Sequence, residues 1–305
     1  MSVQEPAIRE EVSPGATQLY AFMLMEDIHN GVLPYGPRPL GPRARIEPDD
    51  PELAAMIAQA ISTKGSDRLQ FALPEFIRQS ASEIAMFGQA VREIGYWSAP
   101  DAKRPSAFRL LHLPPNRVLW RRGKPVQRLS DKTAASLGSR YVELPAADLL
   151  RFHWPHEKYG GHSDIMQRVR LLSGTSHPEF LIPDPRRDGG VVPVDFGDFH
   201  QTLYRALAEA TRSVGWNARG LISKHQTDYH HLYRQLRFER FKIVLRSVIV
   251  ETLNLGLCRA GDRIGFTAHL SLDGAPDEAE LDEAERRLAE GKHTYKEIMA
   301  PFWRI

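Results

Sequence analysis

Three histidines and a carboxylate crowd together in "HWPHEKYGGH", where His153, His156 and His162 surround Glu157. Imidazole nitrogens and a carboxylate oxygen are ligands that zinc accepts, so this segment is the chain's nearest approach to a metal site. The spacing matches no derivable ligand set, and Pro155 with Gly160 and Gly161 makes the segment a bending strand exit. The reading favours structural or surface histidines, and no metal or other cofactor is expected. His230 and His231 are adjacent on an expected helix, so they point about 100° apart and do not chelate one ion together. The chain lacks GxGxxG after a strand, a GxxxxGKS or GxxxxGKT loop, GxSxG and HExxH. Phosphate cradles, nucleophile elbows and zincin chemistry are therefore unsupported, and the expectation is a protein that is not an enzyme.

Positive charge is the other chemistry on offer, and it is concentrated twice. Between Lys103 and Arg128 lie Arg104, Arg109, Arg117, Arg121, Arg122 and Lys124, with no acidic residue among them and with Phe108 and Trp120 interleaved. This pattern suits a surface that contacts phosphates. The reading favoured over it is a solvated hairpin whose arginines pair with acidic neighbours elsewhere. The second concentration is "YHHLYRQLRFERFKIVLRSVIVETLN", where His230, Arg234 and Arg237 share one helical face. Farther along, Phe241, Val244 and Val248 turn that face apolar. One end of this helix is then expected wet and basic, either lining a passage or as an ordinary surface, and the other buried.

These residues need elements to hold them. With 305 residues, 42% of them hydrophobic, the chain can bury one large core or two smaller ones. Its net charge of +2 is too mild to prove a nucleic-acid partner. A single cysteine, Cys258, rules out an internal disulfide framework and reads as core filler. The charged start "MSVQEPAIREEVSPG" has no apolar stretch, and no run of about 18 apolar residues occurs, so a soluble protein without a secretory leader or membrane span is expected.

The stretch "FGQAVREIGYW" changes period at Gly88. Before it Phe76, Ile77, Ala81, Ile84 and Ala85 recur at helical spacing; after it Val91, Ile94 and Tyr96 alternate as in a strand. Gly88 is suited to the left-handed conformation that ends a helix. Further helices are expected at 16–30, at 49–64 with Asp50 and Pro51 at its start, at 163–174, at 196–216, at 228–254 and at 277–290. Short strands are expected at 90–97, 108–114, 117–129, 141–154 and 263–272. The proline-rich 31–48 reads as an extended linker or surface arm, with composition leaving open whether it clasps a neighbour or is disordered, and a second proline-rich loop runs to about Val194. The fold class is α+β: helices with small antiparallel sheets.

The order of these phrases resembles a tailed-bacteriophage portal protein. Phe87, Gly88, Ala90, Glu93 and Ile94 match the family's helix-to-strand wing segment, and Leu113, Pro114, Pro115, Arg117 and Val118 its strand and Leu-Pro turn. Gly160, Gly161 and Ser163 fall at its Gly-Ser helix start, and Asn254, Gly291, Thr294, Glu297 and Ile298 in its closing crown phrases. The resemblance spans about residues 50–300. It implies an N-terminal helix and arm over 1–48, a wing-like domain over 49–174, a stem-like long-helix region over 175–254 and a crown-like region over 255–305. It also implies a ring, usually of about twelve copies, at a capsid vertex, with double-stranded DNA passing through it and capsid and packaging-motor proteins as partners. The protein would then reside in a virion or the bacterial cytoplasm. On that reading Arg219, Lys224, His225, Arg234 and Arg237 lie closest to the DNA backbone. One departure is the segment at about 217–228 between the long helices, which is short for the family's clip domain. The alternative is a monomeric nucleic-acid-binding module that uses the stretch 103–128.

Overall fold

The computed structural model describes residues 18–33, 42–98, 105–175, 196–222 and 226–302. Helix α1 (Leu19–Gly31) turns Tyr20, Leu24 and Ile28 inward. Helix α2 (Pro51–Ile61) starts where the sequence places it. Asp50 accepts hydrogen bonds from the Glu52 and Leu53 amides at 2.9 and 3.2 Å, satisfying donors that have no partner within the helix. Helix α3 (Leu69–Phe87) stops at Gly88, whose φ of 77° ends it without steric cost, and the chain enters a strand at the next residue. The helix-to-strand junction is as the change of period predicts.

Strand β1 (Arg43–Glu47) lies at the end of the expected arm; residues 34–41 of that arm are outside the described residues. β1 pairs antiparallel with β8 (His269–Asp273) of its own chain, with Ala44 and Ile46 facing the core. On the other edge of β1, the Gln70 side chain accepts from the Ala44 amide at 3.0 Å and donates to its carbonyl at 2.5 Å.

The central sheet has the order β3-β2-β7, antiparallel, from β2 (Gln89–Trp97), β3 (Ala107–Leu113) and β7 (Leu149–His153). A second sheet has the order β4-β5-β6, from β4 (Val118–Arg121), β5 (Lys124–Arg128) and β6 (Tyr141–Glu143). Arg122 and Gly123, at φ 50° and 80°, make the two-residue turn that joins β4 to β5. The single strand expected over 141–154 is two, since Pro145 cannot donate to a ladder and the chain turns at Ala146–Asp148 before β7. A short helix, α4 (Asp131–Leu137), was not foreseen; Ser130 caps it.

Helices α5 (His156–Tyr159), α6 (His162–Thr175) and α7 (Phe196–Ala210) follow, then the long α8 (Asp228–Ile264), α9 (Glu278–Glu290) and α10 (Tyr295–Met299). α6 begins at His162, so Ser163 is inside it and is not its cap. α7 ends at Ala210, short of the expected 216. α8 continues past the expected Asn254 to Ile264, taking in two glycines; Gly256 allows Leu150 of β7 to approach the helix directly. The expected strand from Arg263 therefore begins only at His269. Cys258 is exposed on α8 and is not core filler.

One hydrophobic cluster joins all four expected segments, from Tyr20, Leu24 and Ile28 through Phe76, Ile84 and Phe152 to Leu207, Phe241, Leu257 and Leu270. Each fully buried residue of this size contributes about 1.5–3 kcal/mol. A separate cluster forms where Leu281, Ala284 and Leu288 of α9 and Ile298 and Met299 of α10 pack on Leu232, Leu236 and Ile243 of α8. A third, small one joins Val91, Leu113 and Leu149 of the central sheet to Val118 of β4 and to Leu144. The α+β class, with small antiparallel sheets and a long helix, is the one observed.

Candidate functional site

The basic face of α8 is met by the end of α7. The turn after α7 lies flat on α8 because Gly215, at φ 78°, has no side chain: a Cβ there would fall 2.5 Å from Arg237 Cβ and 2.6 Å from the Arg234 carbonyl oxygen. This contact buries Arg234, which is 4% exposed. Its Nη1 donates to Ala208 O at 3.1 Å, and its Nη2 to Thr211 Oγ1 at 3.0 Å and Trp216 O at 2.6 Å. Burial first, and then the charges of Arg237 and Arg212, push its pKa down to about 10. The expectation of a wet Arg234 is thus corrected: helical spacing places it beside His230 and Arg237, but the turn after α7 covers it.

Arg237 remains partly exposed. Its Nη2 donates to Ser213 O at 3.2 Å, and its guanidinium lies 5.8 Å from the Tyr233 ring centre. Between α7 and α8 opens a cleft of about 400 Å³, lined among others by Arg205, Arg212, His230, Arg234 and Arg237. A second cavity of about 450 Å³ shares Arg212 and Arg237 and adds Lys158 and Arg168. Arg168, Arg205 and Arg212 escaped sequence reasoning because they are scattered along α6, α7 and the following turn, and no local charge density marks them.

Arg219 is not part of this cleft. Its Nε and Nη2 donate to Asp27 Oδ1 at 2.8 Å and Glu26 Oε2 at 2.5 Å on α1, while Trp216 Nε1 donates to Asp27 Oδ2 at 2.8 Å. The hydrogen bond to Glu26 is the largest of the effects that raise its pKa. Lys224 and His225 lie outside the described residues.

The basic stretch 103–128 is divided by the fold. Lys103 and Arg104 are outside the described residues. Arg109 belongs to the central sheet and approaches Ser62 O at 3.4 Å, whereas Arg117, Arg121, Arg122, Lys124 and Arg128 are on or beside the second sheet. Lys124 Nζ is 2.7 Å from Glu143, and Arg121 stacks 3.8 Å from the Tyr141 ring centre. Two of these cations therefore have partners on β6, as a solvated hairpin requires.

The histidines of "HWPHEKYGGH" take separate positions. His162 is buried, with Nε2 2.7 Å from Ala85 O; a carbonyl only accepts, so this nitrogen carries the proton. Its ring meets Trp154 edge-on at 5.1 Å and lies against Gly88. His153, opposite Gln89 in the central sheet, and His156 line a different cavity of about 510 Å³ with Glu157, Glu251 and Glu278. Among the described residues no three His, Cys, Asp or Glu side chains are placed to hold a metal ion, and no helix is long and apolar enough to cross a membrane.

No family model and no curated protein matches the chain. Among solved structures, it is similar to a chain in the neck of an empty GTA particle computed with C6 symmetry. The two share 12% identity and a TM-score of 0.50, over 95% of this chain and 90% of that one. Chains in a native gene transfer agent virion and in a native neck computed with C12 symmetry align at 12% identity and a TM-score of 0.47, over 94% and 89%. The first comparison shows a shared fold along nearly the whole chain.

Proposed function

We propose that the protein is a portal-type ring subunit of a phage-like particle, a structural and non-enzymatic component whose ring surrounds a passage for double-stranded DNA. The observation that carries this reading is the end-to-end fold shared with a particle-neck chain, over 95% of one chain and 90% of the other. A closed ring needs two unlike surfaces that meet head to tail. Charge supports a conduit as well. Each neutralised phosphate adds affinity and slows sliding, so a chain of net charge +2 with local arginines suits passage better than a uniformly basic one. In this proposal Arg219, Lys224, His225 and Arg237 face the DNA backbone, Arg234, covered by the turn after α7, adds only its field, and capsid and packaging-motor proteins are the further partners.

Light scattering behind a sizing column, followed by negative-stain imaging, tests the reading. Rings of about twelve copies with a central hole are expected. A 34.5 kDa monomer at every concentration would overturn it. Within rings, Arg237→Glu is expected to weaken duplex DNA binding, read by fluorescence anisotropy, while ring mass stays constant.

A further inference from the structure

The cleft between α7 and α8 holds more positive charge than the protein neutralises. Arg205, Arg212, Arg234 and Arg237 line it, and among the described residues Glu209 is the single carboxylate in the lining. Arg234 lies more than nine-tenths buried and hydrogen-bonds to carbonyls and a hydroxyl, and among the described residues no carboxylate lies within ion-pair distance to balance its charge. Its Nε is buried with no acceptor. Gln226 lines the same cleft, and its buried Oε1 has no donor. Neither Arg205 nor Arg212 forms an ion pair among the described residues. Leaving a buried guanidinium uncompensated is costly, and a fold that gathers three more around it has an electrostatic deficit that an anion would remove.

We propose that this cleft is a binding site for a phosphate-class oxyanion. Several acceptor oxygens suit the forked donors of Arg205, Arg212 and Arg237. A hydrogen phosphate also brings one O–H, which Glu209 or Gln226 can accept; acetate, with two acceptor oxygens and no donor at neutral pH, cannot supply it. Arg234 strengthens the site from its floor through its field. A cleft of about 400 Å³ is roomy for one such ion and its water. The phosphate belongs either to a free ion or monoester, or to a nucleic-acid backbone that presents one phosphate at the cleft mouth. The site is built within a single chain, so it stands independently of ring formation.

Calorimetric titration of the full chain with inorganic phosphate at fixed ionic strength, with acetate as the control, tests the site. Saturable phosphate binding is expected, weakened about tenfold or more in Arg205→Gln/Arg212→Gln, whose thermal melt should match the parent because both side chains are exposed. Competition between phosphate and a short DNA duplex assigns the site to the nucleic-acid backbone. Phosphate binding that the duplex does not displace assigns it to a free ion or monoester. The site is overturned by the absence of saturable phosphate binding, by an equal response to acetate, or by binding that the double variant leaves unchanged.

Discussion

His162 shows how one side chain makes the fold sensitive to acid. It is held neutral between Gly88, Trp154 and the Ala85 carbonyl, and burial, outweighing the hydrogen bond to Ala85, lowers its pKa from 6.5. The unfolded chain therefore binds a proton in a range where the folded chain does not, and stability rises with pH through that window. Full stability is present above about 6.5 and is lost as pH falls through the depressed value; His153 and His231 shift in the same direction, also through burial. Melting temperature is expected to drop as pH is lowered below 6.5, and His162→Gln should flatten this dependence. Gly215 is a second sensitive position. Gly215→Ala combines a strained positive φ with a Cβ driven into the α8 backbone, and a loss of about 2–4 kcal/mol in chemical denaturation is expected. Gly88 was legible in the sequence because the change of period occurs at that residue. The burial of Arg234 was not: spacing says which residues share a face, but not that a turn about twenty residues earlier will cover it.

At the scale of elements, α9 and α10 differ from the rest. Their apolar residues meet α8 in a cluster separate from the main core, aided by Arg240 on Asp282 and Glu285 at 2.6 and 3.1 Å. A small interface with exposed ion pairs opens at lower free energy than the core. Hydrogen exchange should therefore find α9 amides less protected than those of α8 near Leu245 and Ile249, which are fully buried. Equal protection would mean that the C-terminal unit unfolds only with the whole. α9 itself was readable from Asp277 and Gly291, since both its ends carry local stop signals. The true length of α8 was not. Gly256 and Gly261 look like breaks in the sequence, yet each lies where another part of the chain presses on the helix, against Leu150 and the Phe266 backbone. α4 was overlooked because it buries no residue and so leaves no apolar period to detect.

For the whole molecule, the largest cluster binds α1 to residues as distant as Leu270. Removing residues 1–33 takes away Tyr20, Leu24, Ile28, Val32 and Leu33 together, along with the acids that hold Arg219. The truncated chain is expected to lose cooperative melting in calorimetry, whereas an independently stable N-terminal unit would leave the main transition in place. The α+β class and the order of its elements were legible because periodicity and caps are local. The α7–α8 cleft was not, because its arginines come together only through long-range packing.

Gln70 carries a consequence for the free edge of the β1–β8 ribbon. By giving Ala44 both an acceptor and a donor, its amide occupies hydrogen-bonding positions that a strand from another molecule would need. The β1–β8 ribbon is thereby blocked at Ala44, a stopper against edge-to-edge pairing with a second chain.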